Sequence, residues 1–322
     1  MPNPIIAEVM RGGIVESRHT GAFAISTVDG KRVASAGDIA SPIFPRSAIK
    51  AFQCLPVIQS GAADRFGFSD EEIALCCSSH EGQPDHIRVA RSMLAKIGVD
   101  EACYECGAHY PTSRSATFHL VREGIECQQV HNNCSGKHAG MLALAKHLGI
   151  ESKNYGTPTH PVQQAIAKAM GEICDIDLSA AARGIDGCSV PTWAMPLANT
   201  AMGFARLAQS EAGKRIIAAA RAHPFMIAGT KRFDTKIMTA VPRLFIKVGA
   251  EGVFCGTIAH AGLGFALKCD DGAVRGAEVG IAGALAKLDV WTPDEIASLK
   301  SFQHETNRNW NKLEVGEIHA SP

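Results

Sequence analysis

No apolar run in this sequence reaches the ~18 residues that a membrane-spanning helix needs. Charge of one sign is not in surplus either. Lys plus Arg and Asp plus Glu are each 32, so the formal net charge is zero. That balance removes the electrostatic reason to expect nucleic acid or an anionic membrane surface as a partner. The opening Met-Pro-Asn-Pro-Ile-Ile-Ala-Glu lacks the basic flank and apolar stretch of a signal peptide, which makes a cytoplasmic location the expectation. Internal repeats and low-complexity linkers are also missing. What is present is an ordinary globular composition, 46% apolar and 20% charged over 322 residues, far from that of a disordered chain. At about 150 residues per domain this length gives roughly two domains or one large one, with a core that needs no staples.

The eleven cysteines, at 54, 76, 77, 103, 106, 127, 134, 174, 188, 255 and 269, are an odd number in a large chain. A disulfide framework belongs to small secreted domains, so most of these thiols are expected to be buried as small apolar groups, with one or two left as ligands. The single Cys-x-x-Cys, Cys103-Tyr104-Glu105-Cys106, has no second pair and reads as structural.

Patterning divides the chain. Ala22–Val28 and Arg32–Ala36 flank Asp29-Gly30, a strong hairpin signal, and Gly12-Gly13 marks a turn before them. From Ser47 the apolar spacing becomes helical, with Pro56 expected to kink or end the segment. Ser69-Asp70-Glu71-Glu72 is a capping-box start, and the run Ile73–Cys77 then leads into Ser78-Ser79-His80, read as a strand-to-turn junction. Further helices are expected over 84–96, 113–122, 138–148, 161–174, 197–208 and 211–221. Strands return after about residue 242, at 244–248, 253–258 and 264–268, with Asp271-Gly272 closing the last strand and a helix over 276–288. Strands at both ends with helices between them predict an α/β (α+β) fold: one antiparallel sheet built from N- and C-terminal strands, with an inserted helical lobe. The expected organisation is a single domain, 1–322, with a sheet lobe at 1–45 and 243–322 and a mainly helical lobe at 46–242. Active sites commonly lie in clefts between such lobes.

Four groups carry potential chemistry. Ser47-x-x-Lys50 puts a hydroxyl and an amine on one helix face, where an amine of lowered pKa can take the serine's proton. The same spacing also describes an N-cap serine followed by a solvated lysine. Ser78-Ser79-His80 supplies hydroxyls beside an imidazole, as a nucleophile, a proton relay or an ordinary turn. Asn133-Cys134-Ser135-Gly136-Lys137-His138, with Asp186-Gly187-Cys188 downstream, offers thiolates suited to zinc without the paired knuckles of a zinc signature. Ser135-Gly136-Lys137 lacks the upstream glycine of a phosphate loop, which argues against ATP. Lys247 stands in an apolar strand whose alternation puts Ile246 and Val248 on the core face. Lys247 itself is then either solvated or, if its face lines a cleft, a second base or anchor.

Taken together and in order, Arg11–Ser17, Arg46-Ser47-Ala48-Ile49-Lys50, Cys77–His80, Asn133–His138 and Asp186–Thr192 resemble the Rhizobium-etli-type (class 3) L-asparaginases over nearly the whole chain. The resemblance implies a fold like that of serine β-lactamases and penicillin-binding proteins. It also implies hydrolysis of L-asparagine to L-aspartate and ammonia by two Ser/Lys tandems, Ser47 with Lys50 and Ser79 with Lys247. Cys134, Lys137 and Cys188 match the metal positions, with zinc the usual ion. Arg46, His138 and Asp186 stand as substrate-side residues, and a homodimer is implied. Rival readings are a related serine amidohydrolase acting on glutamine or a β-lactam, and a non-catalytic zinc-binding relative.

Overall fold

The computed structural model describes residues 2–321 and is a mixed α and β fold built on an antiparallel sheet. The strands of that sheet are β1 (Ile5–Arg11), β2 (Ile14–Ser26), β3 (Arg32–Ala36), β4 (Leu244–Gly249), β5 (Val253–Ile258), β6 (Leu263–Cys269), β7 (His304–Arg308) and β8 (Glu314–Ala320). The longer helices are α1 (Lys50–Gln59), α2 (Asp70–Cys76), α3 (Pro84–Ile97), α4 (Arg114–Arg122), α5 (Ser135–His147), α6 (Pro161–Cys174), α7 (Leu197–Leu207), α8 (Glu211–Ala222), α9 (Phe233–Ala240), α10 (Val274–Ala286) and α11 (Pro293–Ser301). The chain divides into two compact units. One holds the segments through Ala48, Ala194–Ala208 and from Ile237 onward; the other holds Ile49–Trp193 and Gln209–Lys236.

In the first unit the strand order is β7-β8-β1-β2-β6-β5-β4, with β3 paired on β2. β1 lies between β2 and β8, so the two ends of the chain meet in one sheet. The expected hairpins form where glycine supplies positive φ: Gly12 and Gly13 (55° and 79°) between β1 and β2, and Gly30 (80°) between β2 and β3. Asp271-Gly272 does not close the last strand, because β7 and β8 follow and pair with each other. β7 reads His-Glu-Thr-Asn-Arg, half-buried to exposed, and has no apolar alternation to announce it. β4 and β5 are buried at every position, which requires cover on both faces of the sheet. α7 packs on β2, β5 and β6, and α10 packs on β1, β8, β6 and β5. At Gly264 a Cβ would stand 2.1 Å from the Ala201 carbonyl oxygen, so the backbone of α7 lies directly on β6 there.

In the second unit α1 is buried from Lys50 to Ile58 among α5, α6 and α8. Pro56 does not end it: the helix continues to Gln59, because packing on three neighbours outweighs one lost hydrogen bond. The segment expected to enter Ser78-Ser79-His80 as a strand is the helix α2. The Ser69–Glu72 capping box decides it, with Ser69 Oγ accepting from the Glu72 N–H and Glu72 Oε2 accepting from the Ser69 N–H at 2.8 Å. All eleven cysteines are free thiols, and all but Cys103 and Cys127 are buried.

Candidate active site

In the second unit a single buried amine gathers three stretches of chain. Lys50 opens α1 and is 1% exposed. Its Nζ stands 2.9 Å from Ser79 Oγ and 3.1 Å from Cys134 Sγ, and it donates to the Ser78 carbonyl. A buried amine without such partners would be costly, and these three fix a long, otherwise mobile side chain. Ser78 and Ser79 follow the C-terminus of α2, and Cys134 immediately precedes α5. The two elements approach at Gly136, where a Cβ would lie 2.3 Å from the Leu75 carbonyl oxygen. Only glycine allows that approach, and it is what carries the start of α5 to Ser79.

The segment after Ser79 is held from both sides. The Ser79 N–H bonds to the Ile227 carbonyl at 2.9 Å, and the His80 N–H to the Asn133 carbonyl at 3.2 Å. The His80 ring accepts from the Gly82 N–H at Nδ1 (3.1 Å), so the neutral ring carries its hydrogen on Nε2, which meets Ser135 Oγ at 2.9 Å. Burial, reinforced by His86 and the Lys50 amine, pushes the His80 pKa well below the usual histidine range and keeps the ring neutral. His80 stacks on His86, and His86 on Phe225, at 5.0 and 4.5 Å between ring centres.

Cys188 sits in the turn of a short hairpin, Arg183–Ile185 with Pro191–Trp193, closed by the Asp186 N–H on the Val190 carbonyl at 2.8 Å. Its Sγ is 2.9 Å from Lys137 Nζ. The hydrogen bond between the two sulfurs lowers the Cys188 pKa and raises that of Cys134, so the pair shares one proton. Burial works against a charged Lys137, but Cys188, Cys134 and Asp186 outweigh it and hold the ammonium form. Two sulfurs and an ammonium, all buried, thus converge from two stretches far apart in sequence.

His138, next in α5, is fully buried. Tyr155 OH accepts from the Glu105 N–H at 2.9 Å and therefore donates to His138 Nδ1 at 2.7 Å. That leaves the hydrogen on Nε2, a buried donor with no acceptor among the described residues. Burial lowers the His138 pKa to about 3, with Lys137 adding to it, so the ring is neutral.

Arg46 and Ser47 belong to the first unit, in a 3-10 turn that spans Arg46–Ile49; Arg46 has φ 52°, a strained left-handed backbone for a residue other than glycine. Lys247 lies within β4 and is fully buried, with Nζ donating to the Val248 carbonyl at 2.8 Å; the solvated reading of this lysine is therefore corrected. Gly249, at the end of β4, faces Pro45 and Ala48, with a Cβ there 2.3 Å from the Pro45 carbonyl oxygen. This unit thus lays the Arg46-Ser47 turn against the end of the strand that carries Lys247. Asp186 is half-buried at the start of the Cys188 turn and accepts from the Gly187 N–H at 2.8 Å.

The second unit therefore joins Lys50, Ser79 and Cys134, and joins Lys137 to Cys188. His80 and Ser135 stood inside motifs already singled out, but their mutual bond had no signal in spacing. Tyr155 had none at all. Among the described residues His19, Cys269 and Asp271 also converge, but they bond one another: His19 Nδ1 and Cys269 Sγ lie 2.6 and 3.0 Å from Asp271 carboxylate oxygens. Arg275 occupies the remaining His19 nitrogen at 3.1 Å.

No helix among the described residues is long and apolar enough to cross a membrane. No curated protein sequence matches the chain significantly. The family model for L-asparaginase II matches residues 7–320, nearly the whole length, in agreement with the resemblance carried by the motifs. The chain belongs to the L-asparaginase II family and is an amidohydrolase of the L-asparaginase type.

Proposed function

We propose that the protein hydrolyses the side-chain amide of L-asparagine to L-aspartate and ammonia through a serine acyl-enzyme. The observation that carries this reading is the buried Lys50 amine 2.9 Å from the Ser79 hydroxyl, a hydroxyl–amine couple held by its surroundings before any substrate arrives. Ser47, assigned by the motif resemblance, is the nucleophile, and Lys50 takes its proton. Attack on the side-chain carbon expels ammonia and leaves a β-aspartyl ester, which water then cleaves. Splitting the amide cleavage in this way replaces one difficult step by two easier ones. Ser79 moves protons between Lys50 and the reacting groups, and Lys247, also assigned by the resemblance, serves as the second amine. The likeness to serine β-lactamases belongs to this reading.

Cys134, Lys137 and Cys188 would hold zinc, the ion displacing the proton that Lys137 otherwise keeps and the one the two thiols share. Bound there, the metal supplies a fixed positive charge for orienting the polar groups of the substrate. The His138 Nε2–H is suited to a substrate oxygen because it has no acceptor of its own. Asp186 and Arg46 complement the α-ammonium and α-carboxylate groups of the substrate. The test is ammonia release from L-asparagine by wild type, Ser47→Ala and Ser79→Ala, each checked for folding. Abolished turnover in Ser47→Ala with no trapped serine ester supports the assignment, whereas near-normal turnover moves the nucleophile to Ser79. A panel with glutamine and β-lactams in place of asparagine decides the substrate, and preferential hydrolysis of either would overturn it.

A further inference from the structure

We infer that His80 is a positioning residue, whose ring acts as a staple that holds the Ser79 hydroxyl in register with the start of α5. This inference rests on the hydrolase reading above and extends it. The staple has two strands, one through the backbone and one through the side chain. The His80 N–H reaches the Asn133 carbonyl at 3.2 Å, and the ring reaches Ser135 Oγ at 2.9 Å, so residue 80 grips both neighbours of Cys134. Lys50 touches the two sides of this same junction, Ser79 Oγ on one and Cys134 Sγ on the other. The span between that hydroxyl and that thiol is therefore set by what joins residues 79–80 to residues 133–135, and His80 to Ser135 is a direct side-chain bond in that join.

The ring itself is held so that it can act as a donor. The Gly82 N–H occupies Nδ1, which leaves the hydrogen on Nε2, aimed at Ser135. Stacking on His86, itself stacked on Phe225, fixes the ring plane. Neither His80 nor Ser135 has to touch substrate for this role. Their effect passes through the placement of Ser79 and Lys50, where an error of about 1 Å costs roughly 100-fold in rate.

Ser135→Ala removes the acceptor, and His80→Asn keeps an acceptor near the Gly82 N–H but cannot reach Ser135. His80→Gln places an amide donor near the position of Nε2. With ammonia release as the assay, Ser135→Ala and His80→Asn should each lower kcat about 10–100-fold, the range typical of residues that orient a reacting group, with KM changed by less than about twofold. The double variant should be no slower than the slower single variant, and His80→Gln should recover most of the loss. Wild-type kcat in Ser135→Ala, losses that multiply in the double variant, or a rise in KM in place of the fall in kcat would each overturn the staple. A readout independent of turnover is the 15N spectrum of histidine-labelled protein. His80 should show a protonated Nε2 and a bare Nδ1, and the opposite tautomer overturns the inference. If the wild type released no ammonia, the asparaginase reading would fall and the tautomer would still decide the staple.

Discussion

Lys50 shows how much one side chain can be asked to do. Its amine is buried, and its three contacts are a carbonyl, a hydroxyl and a thiol, none of them a carboxylate. Lys50→Met keeps the stem and removes the amine. We expect turnover in the ammonia-release assay to fall about 10²–10⁴-fold, the usual contribution of a positioned base, while the melting temperature moves by only a few degrees. A second residue-scale test concerns Glu295, far from this chemistry. Its hydrogen bonds with Arg243, then with Thr292, hold its carboxyl at about 2, below the ordinary carboxylate range. A depressed folded-state pKa stabilises the protein fully above the unfolded value of ~4.3 and loses that stabilisation as pH falls toward 2. Glu295→Gln should therefore cost roughly 1–2 kcal/mol at neutral pH, reduced by solvent at the half-exposed Arg243, and little once the pH is below 2. Denaturant melts across that range measure it. The same residue scale shows what the sequence concealed. Lys247 was ambiguous because alternation assigns a face but not what covers that face, and in β4 both faces are buried. The His138–Tyr155 bond was invisible because no spacing rule links two residues brought together by packing.

At the scale of elements, legibility followed the strength of local signals. α6 runs from Pro161 to Cys174 as its pattern predicts, because proline at the first position and an apolar stripe agree about where it begins and which way it faces. α5 begins at Ser135, three residues before the expected start at His138, because glycine at 136 reads as a break in sequence but serves as a contact in the fold. β7 escaped notice for want of alternation, and it exists because β8 offers it an edge to pair with. Gly136→Ala tests the contact directly. The added methyl meets the Leu75 carbonyl oxygen, so α2 and α5 must part; the expected cost is about 1–3 kcal/mol in chemical denaturation, together with a loss of activity larger than the loss of folded protein. An unchanged midpoint and unchanged activity would show that the helices can shift without consequence.

For the molecule as a whole, the thiol–amine cluster and the chain's ends matter most. If Cys134, Lys137 and Cys188 hold zinc, the ion ties the start of α5 to a hairpin more than fifty residues away, and its binding energy adds to global stability. Saturating zinc at about 100 times its dissociation constant should raise the unfolding free energy by about 2.7 kcal/mol, and a chelator should reverse the shift. Cys188→Ala should abolish the response, as followed by calorimetry. Light scattering should give twice the 34.1 kDa chain mass if the homodimer implied by the motif resemblance forms. One consequence of the strand order concerns synthesis. The second unit ends at Lys236, so a nascent chain can complete it while the ribosome is still translating the rest. β1 is made first of all the strands, yet its partner β8 is made last. While the segments between them are translated one edge of β1 is open to other chains, so the crowded polysome, more than the finished protein, is where this fold is most exposed to misassembly.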